Sequence, residues 1–261
     1  MDNRAGEEYG LVRRSIIEEG YPHQNDSRHF NPDYLNRLDY WIAECKKRGI
    51  YVYLVLRGYR TFREGDGVPS ADKLKRAARP YAMFDKRLIE LQKEYARKLL
   101  VEHVNPYTGL SYANDPAVAA IEIFNEDSLF MRPGMWQNMV EPYLTEFQRL
   151  WNEWLKEKYG STEQLRRAWT NVRGECALAE DESLEKKNIR LPKMNLESYG
   201  EALNANYTDP LRSPVRRHDA AAFAIALQMK YLNEMKKFLR EIGVKVPLTG
   251  VVDSTVVADT Y

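Results

Sequence analysis

Apolar positions along this chain switch repeatedly between helical spacing and short continuous runs. Leu35, Leu38, Trp41, Ile42 and Cys45 recur at the helical period. Asn31-Pro32 ahead of them supplies an N-cap and a first-turn proline, and Gly49 behind them supplies a stop. The spacing therefore predicts a helix with those five residues on its buried stripe. Residues 50–56 (IYVYLVL) follow at once as an unbroken β-branched and aromatic run, the signature of a strand covered on both faces in a parallel sheet. Residues 57–81 are polar, contain glycine, and are too long for a simple turn.

The same alternation continues downstream. Leu88, Leu91, Tyr95 and Leu99 predict a helix over 85–103, and residues 118–124 (VAAIEIF) a second buried strand that runs into Asn125-Glu126-Asp127. A helix opening at Pro142 carries Phe147, Leu150, Trp151, Trp154 and Leu155 and closes at Gly160. Ser161 and Gln164 make a capping box for a short helix through Trp169, whose tryptophans are read as core. Residues 171–216 are polar and irregular, read as an excursion over the mouth of the fold. Phe223, Leu227, Tyr231, Met235, Phe238 and Ile242 then mark a long helix over 217–242, and 244–252 a third strand.

Strands alternating with helices of more than ten residues predict a parallel sheet with right-handed crossovers. The fold class expected is α/β, a partial TIM (β/α)8 barrel. A complete barrel takes about 250 residues for eight strands, whereas this chain of 261 residues yields three. It also starts without a strand before its first helix and stops soon after the third. Both ends read as cut, giving a single incomplete barrel domain over 1–261 with an insertion at about 171–216.

Charge narrows the function classes. Thirty-nine basic residues against 38 acidic ones give a formal charge of +1, which does not suggest nucleic-acid or membrane-surface binding. No apolar run approaches the roughly 20 residues needed to span a bilayer, and the opening MDNRAGEEYG is not a signal peptide. With a true N-terminus read as missing, localisation stays unassigned. Cys45 and Cys176 read as free thiols, and the four histidines lack metal-ligand or nucleophile spacing. No phosphate-binding glycine loop is present. No cofactor, metal or obligate protein partner is expected.

The candidate chemistry lies at the end of the second strand. Alternation sends Ala120, Glu122, Phe124 and Glu126 to one face and Ile121, Ile123 and Asn125 to the other. A glutamate is costly against packed helices, so the Glu face is expected to be the barrel interior, with Glu126 emerging at the mouth.

The run Ile121-Glu122-Ile123-Phe124-Asn125-Glu126 resembles the fourth-strand motif of the clan of retaining (β/α)8-barrel glycoside hydrolases. LDYWIAECKKRGIYVYLVL resembles the helix and third strand of its cellulase-like family 5 members, and FQRLWNEWLKEKYGSTEQLRRAW a segment of its beta-galactosidases. MDNRAG is similar to the residues just past strand two in the cellulase-like group. The resemblance implies that Glu126 is the acid/base and that Asn125 binds the sugar 2-hydroxyl. It also implies a second carboxylate about 5 Å away as nucleophile, on a strand seven that these residues do not include. The implied substrate is a β-linked oligo- or polysaccharide.

The family commonly carries a histidine just after strand three, where this chain has Arg57, with Arg60 three residues on. Either arginine could bind sugar hydroxyls or sit in a salt-bridged loop. A fixed positive charge there would lower a carboxyl pKa, the wrong direction for an acid, so a non-catalytic carbohydrate-binding relative is the alternative reading. Trp136, on the loop after the catalytic strand, is expected either to stack on sugar or to pack beneath the loop. Glu122 is read as structural.

Overall fold

The computed structural model describes residues 25–56, 60–74, 78–125, 127–129, 135–194 and 205–250. The chain divides into two compact units, Met1–Ser128 with Met229–Ser254, and Leu129–Gln228 with Thr255–Tyr261.

In the first unit helix α1 (Pro32–Lys47) begins where the sequence places it. The Asn31 side chain accepts from the backbone N–H of Asp33 at 3.0 Å, Pro32 occupies the first turn, and Gly49 follows with φ +70°. Strand β1 (Val52–Val55) comes next, then short 3-10 turns at Glu64–Asp66, Ala71–Lys73 and Tyr81–Met83. Asp85 caps helix α2 (Lys86–Arg97), which widens into a π-helical turn, Lys98–Glu102. Strand β2 (Val118–Glu122) follows. In the second unit helices α3 (Tyr143–Tyr159) and α4 (Thr162–Ala168) are separated by Gly160 and the Ser161 cap. Helix α5 (Pro214–Glu241) starts earlier than its apolar stripe predicts, because Pro214 suits a first turn. Its residues from Met229 onward belong to the first unit. Strand β3 (Leu248–Thr249) begins later than the 244 expected, and 251–252 of the expected strand lie outside the described residues.

The sheet is parallel, in the order β1-β2-β3, so β2 is its central strand among the described residues. Leu54 pairs with Ile121 and Val55 with Glu122, while Ile121 and Glu122 face Leu248 and Thr249 on the other side. This register sorts the side chains by face. Leu54, Leu56, Ile121 and Ile123 lie on one face and all are buried. The opposite face carries Tyr53, Val55, Ala120 and Thr249, all partly exposed, with Glu122 buried among them at 2% exposure. The expectation that 50–56 is covered on both faces is therefore corrected for the described residues. Tyr51 and Tyr53 alternate with buried neighbours.

One apolar expectation on α1 also fails. Trp41 is 51% exposed. The buried stripe runs through Leu38, Ile42 and Cys45, and a residue one position from Ile42 points about 100° away from it. Residues 60–84, polar by composition, contain buried Phe62, Leu74, Met83 and Phe84. They are organised around Asp66, which is wholly buried and accepts from the backbone N–H groups of Ser27 at 3.0 Å and Arg63 at 2.8 Å.

The second unit has an aromatic core. Trp151 stacks against Trp154 and Trp169 and tilts against Phe223. Trp151 and Trp169 are fully buried, as read from their spacing, whereas Trp154 is only half-buried. Two buried carboxylates brace this core. Asp219 accepts from Lys158, Tyr159 and the Trp169 indole at 2.7, 2.6 and 2.8 Å. Glu182 pairs with Arg216, both side chains wholly buried, and the Arg216 guanidinium lies over the Trp169 ring at 4.9 Å.

Candidate active site

Ligands of parallel α/β sheets bind beyond the carboxyl ends of the strands. Asn125 is three residues past the end of the central strand β2. The backbone up to it is tied to β3: Ile123 N–H donates to the Thr249 carbonyl at 3.0 Å and Phe124 N–H to Gly250 at 3.2 Å. On the β1 side, Leu56 N–H donates to the Glu122 carbonyl at 2.9 Å. The half-buried Asn125 offers its own carbonyl to the Arg79 guanidinium at 2.8 Å. Phe124 is buried against Tyr231 of α5, whose hydroxyl reaches Gln92 of α2 at 2.5 Å. Glu126 and Arg57 lie outside the described residues.

The remaining predicted binding residues, Arg60 and Trp136, are both buried. Arg60 is 8% exposed. Its Nε donates to Ser27 Oγ at 2.7 Å and its Nη1 to the Leu91 carbonyl at 2.8 Å, and its guanidinium lies 4.9 Å from the Phe62 ring centre. A guanidinium held this way ties the chain around Ser27 to helix α2, which fits the loop reading of Arg60. Trp136, in the second unit, is 1% exposed. Its indole donates to the Leu129 carbonyl at 2.7 Å and its ring meets Phe147 edge-on at 4.9 Å. Trp136 leaves no open ring face for a sugar, so of its two readings the packing one fits the structure.

Sequence reasoning missed three groups. Tyr53 and Thr249 flank Glu122 on the half-open sheet face, with the Tyr53 hydroxyl 2.9 Å from Thr249 Oγ1. Burial raises the Tyr53 pKa, the bond from Thr249 works against that rise, and the Glu122 carboxylate beside the phenol adds to it. The signal that could have found Tyr53 is its period-2 placement within IYVYLVL. Arg79 is the third; it lies in the polar segment 57–81, and only the fold brings it to the Asn125 carbonyl beyond β2.

Among the described residues no group of three or more His, Cys, Asp and Glu side chains could hold a metal ion. No described helix is long and apolar enough to cross a membrane. An open depression of about 460 Å³ in the second unit, bordered by Asn152, Lys156 and Leu184, contains none of the predicted site residues.

No family model matches the chain, and no curated protein does. Among solved structures it is similar to an endo-beta-1,4-mannanase from Thermotoga petrophila, at 18% identity and a TM-score of 0.31 over 95% of this chain and 52% of that one. A second match is the hyperthermostable endo-1,4-beta-D-mannanase of Thermotoga petrophila RKU-1, at 18% identity and a TM-score of 0.30 over 97% of this chain and 69% of that one. The chain thus spans about half the length of the first of these structures. Both scores fall short of a shared fold. The class defined by the chain's own backbone is a mixed α/β protein with a small parallel sheet and a polar dipeptide following its central strand.

Proposed function

We propose that this chain is part of a (β/α)8-barrel glycoside hydrolase of the retaining clan, cellulase-like or beta-galactosidase-like, acting on β-linked sugars. Under this reading residues 1–261 form a single incomplete barrel domain. The observation that carries the proposal is the position of Asn125 three residues past the central strand of the described parallel sheet, beyond the strand ends where such sheets bind ligands, with Glu126 next to it in sequence. Glu126 would protonate the glycosidic oxygen and then activate water, and Asn125 would hold the sugar 2-hydroxyl, a bond that strengthens as positive charge develops on the ring. Retention needs a second carboxylate about 5 Å from the first, which this reading assigns to a strand seven, so the 261 residues by themselves are expected to be inactive.

A second reading, a carbohydrate-binding relative without turnover, rests on Arg57 standing where the family commonly has a histidine and on the nucleophile lying outside these residues. A cation near a carboxyl stabilises its ionised form, which opposes action as an acid. The test uses the full-length protein and aryl β-glycosides. The hydrolase reading expects turnover that falls by at least about 100-fold in Glu126→Gln. Sugar-dependent thermal stabilisation with no turnover would favour the binder.

A further inference from the structure

Among the described residues, Arg79 alone is hydrogen-bonded to Asn125, its Nη2 donating to the Asn125 carbonyl at 2.8 Å. That carbonyl belongs to the peptide bond joining Asn125 to Glu126. The sheet ladder stops short of it: Ile123 and Phe124 are the residues before it whose N–H groups are tied to the β3 side. The orientation of the next peptide group therefore falls to a side chain.

Arg79 is itself well anchored. It is half-buried between buried Ala78 and Pro80, just ahead of the buried 3-10 turn Tyr81–Met83. The Ala82 carbonyl of that turn accepts from Gln92 Nε2 of α2 at 2.8 Å. Gln92 Oε1 in turn accepts from the Tyr231 hydroxyl of α5 at 2.5 Å, and the Tyr231 ring lies 5.5 Å from that of Phe124. These contacts close a ring through Phe124, Asn125, Arg79, Ala82, Gln92 and Tyr231. Satisfied buried polar networks of this kind rigidify what they hold. Within this one a guanidinium–carbonyl bond is charge-assisted, roughly twice as strong as a neutral pair.

We infer that Arg79 is a positioning residue, setting the orientation of the peptide group shared by Asn125 and Glu126. What that peptide carries, the acid/base and the amide that binds the 2-hydroxyl, rests on the proposed function. The guanidinium is rigid and planar, so it fixes the direction of the carbonyl as well as its distance. The half-buried Asn125 side chain has no hydrogen-bond partner among the described residues, which leaves its amide open to a sugar hydroxyl. Its bond to the 2-hydroxyl strengthens in the transition state, so a misplaced peptide costs turnover more than affinity.

The experiment compares the full-length protein with its Arg79→Ala variant by two readouts. Amide hydrogen exchange needs no turnover. The Phe124 N–H, bonded to the Gly250 carbonyl, is expected to exchange at least about 10-fold faster in the variant. The Ile121 N–H, bonded to the Pro247 carbonyl deeper in the sheet, is expected to stay unchanged. With aryl β-glycosides, kcat is expected to fall at least about 30-fold while KM stays within about 3-fold. Millimolar guanidinium, filling the vacated space, should restore much of the lost kcat, which a merely structural role would not allow. Should Arg79→Ala fail to fold, Arg79→Gln, a neutral donor, carries the same comparison without the rescue. Unchanged exchange at Phe124, or equal acceleration at Ile121, overturns the inference whether or not the protein is an enzyme. A loss confined to KM, or one in Arg79→Ala that guanidinium does not reverse, overturns it as well. A parent protein without turnover whose exchange changes only at Phe124 supports Arg79 as the anchor of this peptide and removes the proposed function instead.

Discussion

The two compact units solve the same problem by different means. In the first, backbone polar groups are satisfied largely by sheet and helix ladders, and one buried face of aliphatic side chains holds the strands. In the second, residues 171–194 and 205–213 contain no helix or strand, yet Ala177, Leu178, Leu184, Ile189 and Leu191 are buried. Chain without ladders still has to satisfy its buried N–H and C=O groups. Buried side chains do this here: Glu182 accepts from the N–H groups of Ala179 and Arg190, Asn152 from that of Ile189, and Arg216 donates to the Ala177 carbonyl. Irregular chain can thus be core when a few charged or amide groups replace the missing ladder. The 60–84 segment of the first unit does the same on a smaller scale around Asp66.

That contrast can be broken first at Glu182. Glu182→Ala leaves Arg216 buried without its counter-charge and removes the acceptor of two backbone groups. A loss of about 3–5 kcal/mol is expected in urea denaturation. The double change Glu182→Leu with Arg216→Met should recover the part of the loss owed to the unpaired Arg216 charge, but not the part owed to the Ala179 and Arg190 N–H groups. A loss below about 1 kcal/mol for the single variant would contradict the view that polar anchors organise this unit.

In the first unit the largest single effect should come from packing. Ile121→Ala, on the buried face of β2, should cost about 2–4 kcal/mol by the same measurement through lost transfer energy and a residual cavity. Asp66→Ala should cost about 2 kcal/mol from two buried N–H groups left without their acceptor. Its effect should concentrate in faster amide hydrogen exchange across 60–84, with β2 little changed. Uniform acceleration across both segments would show that the loop and sheet are one cooperative element.

The smallest effect is a pH dependence. Burial pushes the Tyr95 phenol up to about 12 from an ordinary 10, with Arg60 working against the rise. The fold therefore favours the protonated phenol. Its contribution to stability is whole below pH 10 and is lost as pH climbs through about 12. Tyr95→Phe should lessen the decline in stability between pH 10 and 12, and identical pH profiles would exclude Tyr95 as a contributor.

Much of the local structure was legible beforehand. The Asn31 and Ser161 caps, the stops at Gly49 and Gly160, and the parallel β2 all follow from nearest-neighbour chemistry that the tertiary context did not override. The face assignment along β2 also agrees with the sheet register, which groups Ala120 and Glu122 opposite Ile121 and Ile123. Legibility stopped where side-chain identity left two environments open. Arg60 and Trp136 have the chemistry of a sugar site, yet both are core residues, because a guanidinium or an indole can be buried once its N–H groups find acceptors.

What the sequence determined by itself was the order of elements, their caps, and the polar dipeptide after the middle strand, since each depends on residues a few positions apart. What only the tertiary structure decided was which cations, carboxylates and rings meet. Arg79 reaches Asn125 across 46 residues of chain, Arg216 reaches Glu182 across 34, and Tyr53 reaches Thr249 across 196. Such pairings leave no periodic mark in the sequence, because a hydrogen bond depends on atoms within about 3 Å and not on separation along the chain.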